Sequence, residues 1–365
     1  MKNLFYVFSV SFLKYRLAKN LITCLTIILI LLPQQNCNTT GPDEKPPSEP
    51  DSTTQNFIFE NFEVGNGSSS SWLEDVWIFD ENNIWAVGYI NSTPNTGRVN
   101  IIRWDGSRWL GVGSQFNSAG IYGIWAIDTS NIYFAVGVVL KYKNGVFSWE
   151  DFNHINFPNY QSVNKLWGSS ESNIWGVGPN GTIVHYDGTN WSKIDFDINY
   201  RFDAITGSKQ TGIAYASATS QQFNTIIVEL KNNSATVIYN SANNSENLTS
   251  FSIEQLNEQE LILGTTSVWT FNVNTKETKI LYTVGLIGNY ISLSALNSPI
   301  DVYFFIDKYG EGEDLLHHNG KRFSTINFSS RNHVIYGGAY AIKDLAVMVG
   351  YSNNKGYIVK VKRIN

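Results

Sequence analysis

The residues of this chain that could do chemistry are few and scattered. Hydrolysis at an acidic sugar would need three arginines to grip a carboxylate, a tyrosine nucleophile with a glutamate partner, and an aspartic acid for the leaving group. Beyond residue 55 the arginines are Arg98, Arg103, Arg108, Arg201, Arg322, Arg331 and Arg363. Only Arg201 and Arg331 precede segments that open a repeat, so the three-arginine grip is not assembled. His154, His185, His317, His318 and His333 form no i, i+4 pair and no HExxH pattern, the usual helical zinc signatures. Strand alternation would send His317 and His318 to opposite faces. The loop Asp307–Asp314, "DKYGEGED", holds four carboxylates and two glycines but lacks the ligand spacing of a calcium loop, and reads as a solvated hairpin tip. No GxSxG elbow is present. The sequence assigns no catalytic, cofactor-binding or metal-binding residue; it predicts no cofactor and no enzyme.

What must position any site is a repeat. "DVWIFDENNIWAVG" (Asp75–Gly88) returns as "GIWAIDTSNIYFAVG" (Gly123–Gly137) and "KLWGSSESNIWGVG" (Lys165–Gly178). A unit of about 40–50 residues built from strand-forming segments implies a radial array of small sheets. Each copy opens on an apolar strand, turns through Asp, Ser and Asn, and continues in a second strand. There Ile84, Ala86 and Gly88 point one way and Trp85 and Val87 the other, so both faces are apolar and both are expected to be buried. Hairpins follow at "IIRWDGSRW" (Ile101–Trp109), "LKYKNGVFSW" (Leu140–Trp149) and "TIVHYDGTNW" (Thr182–Trp191). Asp105-Gly106, Asn144-Gly145 and Asp187-Gly188 suggest type I′ turns, after which Trp109, Trp149 and Trp191 are expected to pack between sheets. Worn copies begin at Arg201, Ser250, Ser292 and Gly337; Trp269 is the only Trp after Trp191.

The count is seven units, with six or eight as alternatives. The seventh runs out after three strands, and a spare strand stands at the other end, "NFIFENFEV" (Asn56–Val64). The prediction is an all-β, seven-bladed β-propeller over 56–365, closed by that N-terminal strand on the last blade. The segment "WGSSESNIWGVGPNGTIVHYDGTNW" resembles repeats of bacterial secreted propellers of the Asp-box (BNR-like) and photosystem II assembly-factor-like group. The resemblance covers Asp75–Trp191 well and the rest weakly. The DG(S/T)xW turn is shorter than the Ser-x-Asp-x-Gly box. The resemblance implies a structural hairpin element and no assigned activity; its alternative implication is a glycan-active hydrolase or transferase on a sialidase-like propeller.

The two cysteines, Cys24 and Cys37, both precede the repeats, so the propeller can hold no disulfide and no cysteine-based metal site. Leu21–Leu32 is a 12-residue apolar run behind Lys14, Arg16 and Lys19, the pattern of a secretory signal. As a helix it would rise only about 18 Å. The earlier run Leu4–Leu13 lengthens the segment and leaves an uncleaved anchor open. Cys37 at the end of the leader resembles a bacterial lipoprotein junction, which implies 1–36 as leader and acylation of Cys37. Gln34, Gln35 and Asn36 depart from the small-residue box of that junction, and a free Cys37 is the alternative. Residues 37–55, rich in Pro, Ser and Thr, read as a flexible tether.

From Cys37 onward there are 22 basic and 31 acidic residues. An acidic domain with no basic stripe argues against nucleic acid as a partner and limits membrane contact to the N-terminal anchor. The expected protein is an exported, cell-envelope monomer that binds a protein or glycan partner. Trp72, Tyr89, Phe116, Tyr160 and Tyr200 lie in connecting stretches, where ordinary packing is the leading reading for each and ligand contact the alternative.

Overall fold

The computed structural model describes residues 56–364 apart from 68–69, 92–96, 114–115, 117–119, 159, 244–247, 285–288, 309–311 and 330–334. Leader, tether and Cys37 lie outside the described residues, as do Arg331 and His333. The chain folds into seven four-stranded antiparallel sheets, a seven-bladed β-propeller. The inner strands are Trp72–Asp80, Gly123–Asp128, Lys165–Ser170, Arg201–Gly207, Ser252–Asn257, Asn289–Ser298 and Ile335–Ile342 for blades 1 to 7. A single 3₁₀ turn, Ser241–Asn243, is the one helical element among the described residues.

The core is seven apolar layers, one between each pair of adjacent blades. This follows from the two-faced second strands. Ile84 and Ala86 pack toward blade 7, while Trp85 and Val87 pack toward blade 2. Each blade is thus cemented on both sides, and burying apolar area on both faces is what makes a four-stranded sheet worth forming.

Around the axis the aromatics interlock with small residues. Trp125 of blade 2 lies over Gly168 of blade 3, its ring atoms 2.7 and 2.8 Å from where a Cβ would stand; Trp167 lies over Gly207 of blade 4 at 2.7 Å. At Gly168 and Gly207 the residue must be small, because the previous blade's indole occupies that space. Trp77 of blade 1 stacks on Tyr340 of blade 7 with centroids 4.3 Å apart.

Blade 7 closes as the sequence predicts. Asn56–Val64 pairs with Lys355–Ile364 over nine residues, from Asn56 opposite Ile364 to Val64 opposite Gly356. Phe57 and Phe59 enter the layer shared with blade 6, whereas Phe62 and Val64 enter the layer shared with blade 1. The phase changes between Phe59 and Phe62, so one strand grips both neighbours.

Two local expectations are corrected. Asn144-Gly145 has positive φ at both positions, 49° and 89°, as a type I′ turn requires. At Asp105-Gly106 and Asp187-Gly188 only the glycine has positive φ. Trp104 pairs with Trp109 and Tyr186 with Trp191, leaving four-residue loops. The Asp closes each loop as an acceptor: Asp105 Oδ1 takes N–H bonds from Ser107 and Arg108, both at 2.9 Å, and Asp187 Oδ1 from Thr189 and Asn190, both at 2.8 Å. Those backbone donors hold the Asp105 carboxyl down at about 2. Among the hairpin tryptophans, Trp191 is 2% exposed and Trp109 packs against the blade 7–blade 1 layer, but Trp149 is 54% exposed. The outer strand Val146–Trp149 turns Phe147 into the blade 1–blade 2 layer, whereas Trp149, on the same face at the end of the strand, stays exposed.

Candidate functional site

The inner strands begin at the face that carries the connections between blades and end at the face that carries the tight turns. Between them runs the axial channel, a cavity of about 250 Å³. Its wall holds Asp75, Lys165, Asp203, Lys209 and Glu254 together with Ser252, Ser294, Tyr340 and the indoles of Trp77, Trp125 and Trp167.

Most of these charges are matched. Lys165 reaches across from blade 3 to blade 1, its Nζ donating to Glu74 O at 3.1 Å and to Asp75 Oδ2 at 3.3 Å. Asp75 also accepts from the backbone N–H groups of Val76 at 3.0 Å and Ile124 at 3.3 Å. Asp203 sits at a β-bulge between Phe202 and Ala204. It accepts from Arg201 Nη2 at 2.7 Å and Nε at 2.8 Å, and from Thr219 Oγ1 at 2.5 Å. Burial nonetheless raises the Asp203 carboxyl, against Thr219 and Arg201, and raises Glu74 against Lys165.

Glu254 differs. It faces Ile262 in the register; counted from the hairpin turn, the same step in blades 1 to 3 holds Trp77, Trp125 and Trp167, opposite Trp85, Tyr133 and Trp175. Burial in the channel, with a smaller push from Asp75, raises its carboxyl to about 8. Burial and the nearby Glu254 raise Tyr340 above the ordinary phenol range.

The other candidate side chains are accounted for. Arg98 stacks over Tyr89 at 4.2 Å, and Tyr89 in turn stacks on Trp72 at 4.3 Å. Arg103 donates to Asn83 Oδ1 at 2.8 Å, and Arg108 lies 3.7 Å from Asp105. Arg322 gives its backbone N–H to Asn319 in a loop built like that at Asp105. Arg363 joins a buried cluster between blades 6 and 7, bridging Asp301 at 3.0 Å and Asp344 at 2.5 Å while His317 Nε2 donates to Asp301 Oδ1 at 2.8 Å. His318 turns the other way and packs on Phe323 at 4.4 Å. His185 bridges Asn173 at 2.7 Å and Asn233, and stacks on Trp175 at 4.0 Å, so blades 3 and 4 are tied at the turn face. His154 Nε2 lies 2.7 Å from Trp191 O. No group of three or more metal-ligating side chains occurs among the described residues. Part of the Asp307–Asp314 loop lies outside them.

Of the aromatics in connecting stretches, Phe116 packs on Phe147 at 4.5 Å, and Tyr200 supports the blade 3–blade 4 layer. Tyr160 is 94% exposed with φ of 60°; Phe223, which the sequence did not flag, is 66% exposed with φ of 62°. Both stand on the connection face. Bulky side chains rarely adopt this left-handed conformation, which glycine would take at lower cost.

The fold is shared with propellers of divergent sequence. A solved structure described as YCF48 bound to D1 peptide matches with a TM-score of 0.61 at 12% identity, covering 84% of this chain and 97% of that one. YCF48 from Cyanidioschyzon merolae matches with a TM-score of 0.59 at 12% identity over 82% of this chain and 98% of that one. A catalytically inactive virginiamycin B lyase from Staphylococcus aureus with quinupristin gives 0.60 at 12% identity, over 84% and 100%. At such identity the likeness is one of fold. No protein-family model matches the chain. No curated protein matches it.

Proposed function

We propose that this propeller is a non-catalytic binding or assembly module for a protein partner. It is exported, and residues 37–55 tether it to a lipid-acylated Cys37 in the cell envelope. The observation that carries the binding reading is the pair Tyr160 and Phe223. Both are large, apolar and solvated, and both are held in a backbone conformation that disfavours them. Packing does not explain them, since neither contributes to an apolar layer. Exposed aromatics on one face are the residue class that anchors protein interfaces. That a YCF48 propeller of the same fold is seen with a peptide supports this choice of partner class. The resemblance of the repeats to a group that includes assembly factors supports the same choice.

The test uses the full chain and a Tyr160→Gly/Phe223→Gly variant. Glycine suits both backbone positions, so the variant is expected to melt no lower than the parent. Affinity purification from the envelope fraction should recover a defined partner with the parent and lose it with the variant. Equal recovery, or none with the parent, refutes the reading. For the anchor, incorporation of a fatty-acid probe should occur in the parent and vanish in Cys37→Ser; label that persists in Cys37→Ser, or is absent from the parent, refutes it.

A further inference from the structure

The channel wall carries a carboxylate that the fold does not engage. Asp75 is matched by Lys165, and Asp203 by Arg201. Lys209 follows the end of its inner strand, at the turn-side end of the cavity. Glu254 is the remaining carboxylate, and no hydrogen bond or ion pair engages it among the described residues. It is partly buried in the wall and lines the cavity. A carboxylate withdrawn from bulk water without a partner is disfavoured, and a channel that needed only to be filled would keep the Trp of blades 1 to 3 here. Asp75 of blade 1, Lys165 of blade 3, Asp203 and Lys209 of blade 4, Ser294 of blade 6 and Tyr340 of blade 7 line the same cavity, and Asp75 and Tyr340 interact with Glu254 electrostatically. Trp77, stacked on Tyr340, Trp125 and Trp167 line it too. A carboxylate and indoles in the wall of one cavity favour a cation, by Coulomb attraction and by cation–π contact.

We propose that the channel receives one basic side chain of the protein partner, a guanidinium or ammonium group, with Glu254 as its counter-charge and the indoles as its wall. The inference rests on the reading that the propeller binds a protein. It adds which residue type of that protein is recognised, and where. At neutral pH Glu254 holds its proton, so an arriving cation must displace it, and the cation and the proton compete for one carboxylate.

The probe is arginine amide, titrated into the full-length protein with glutamine amide as the neutral control. Indole N–H resonances report position, assigned by Trp→Phe substitution, and calorimetry in two buffers of different ionisation heat reports proton release. Expected are saturable binding in the millimolar range or tighter, shifts at Trp77, Trp125 and Trp167 but not at exposed Trp149, and release of about one proton at pH 7. Affinity should rise about tenfold per pH unit up to about pH 8 and then level. Glu254→Gln should weaken binding at least tenfold above pH 8 and abolish proton release. No saturable binding, equal binding of glutamine amide, affinity that falls with rising pH, or an unchanged Glu254→Gln each overturns the proposal. The proton count needs only the parent protein, so the test survives a variant that fails to fold. Partner recovery through Tyr160 and Phe223 with no arginine amide binding overturns the channel proposal alone; arginine amide binding without partner recovery overturns the protein-binding reading and leaves the cation site in the channel standing.

Discussion

Closure of the ring by the strand Asn56–Val64 makes a quantitative demand on Phe59 and Phe62. Each is half-buried, Phe59 stacked on Phe328 at 4.9 Å and Phe62 against Trp104 at 5.0 Å. Complete burial of a phenyl truncated to alanine costs about 3–5 kcal/mol. Half-burial, with the ring contact included, gives about 2 kcal/mol for each. The two rings lie in different layers with no shared partners, so the effects add to about 4 kcal/mol. Unfolding entropy scales with chain length, and for a domain of this size about 1.5 °C of melting temperature is lost per kcal/mol. The Phe59→Ala/Phe62→Ala protein should therefore melt about 6 °C below the parent, read by tryptophan fluorescence or far-ultraviolet circular dichroism. Ile58→Ala lies on the same strand with its side chain 49% exposed and should shift the midpoint hardly at all. A double variant that melts with the parent, or an Ile58→Ala that falls as far, refutes the view that this strand grips both neighbouring blades. Removal of residues 56–64 entire should destabilise every blade in one transition.

Gly207→Ala places a methyl group 2.7 Å from the Trp167 indole and 2.5 Å from Ile213 O, and should cost about 1–3 kcal/mol in chemical denaturation; an unchanged midpoint would mean the indole has room to move. Trp191→Ala, which empties a fully buried site and frees Glu150, should cost about 3–5 kcal/mol, whereas Trp149→Ala should stay within about 0.5 kcal/mol. Glu254 has a folded-state affinity for protons above that of the unfolded chain, so its contribution to stability is present below about pH 4.5 and is lost as pH rises through about 8. Glu254→Gln should accordingly be the more stable protein at pH 9, with the gap closing toward pH 4; a gap that does not depend on pH would refute the raised carboxyl. Asp105 behaves oppositely: its lowered carboxyl contributes stability above about pH 4 that is lost as pH falls toward 2, and Asp105→Asn should flatten that part of the acid profile.

The ring was legible because its first three repeats keep Trp77, Trp125 and Trp167 in the same phase. The closing strand was legible from arithmetic on the seventh unit. The turn geometry at Asp105 and Asp187 was not, because an Asp-Gly pair specifies two different loops, and the pairing of the flanking aromatics decides between them. Trp149 differs from Trp191 because Phe147, opposite Tyr142, takes the place that Trp191 holds opposite Tyr186, and Trp149 stands two residues further along, opposite Leu140. Glu254 lies in a worn copy, "SFSIEQLNEQELILGTT", where no Trp marks the register. The signal that could have found it is an acid at the position where the first three copies carry Trp77, Trp125 and Trp167. Phe223 gave no signal, since positive φ at an aromatic residue is invisible in composition.

Because the first strand after the tether is also the last to find its partner, synthesis dictates an order of events. The strand Asn56–Val64 emerges early and waits, unpaired, until Lys355–Ile364 has been made. Until then six blades stand as an open arc with two raw sheet edges, the state in which aggregation and proteolysis act. A product cut short before Lys355–Ile364 cannot shut its ring, so the loss of that one strand delivers the whole chain to quality control.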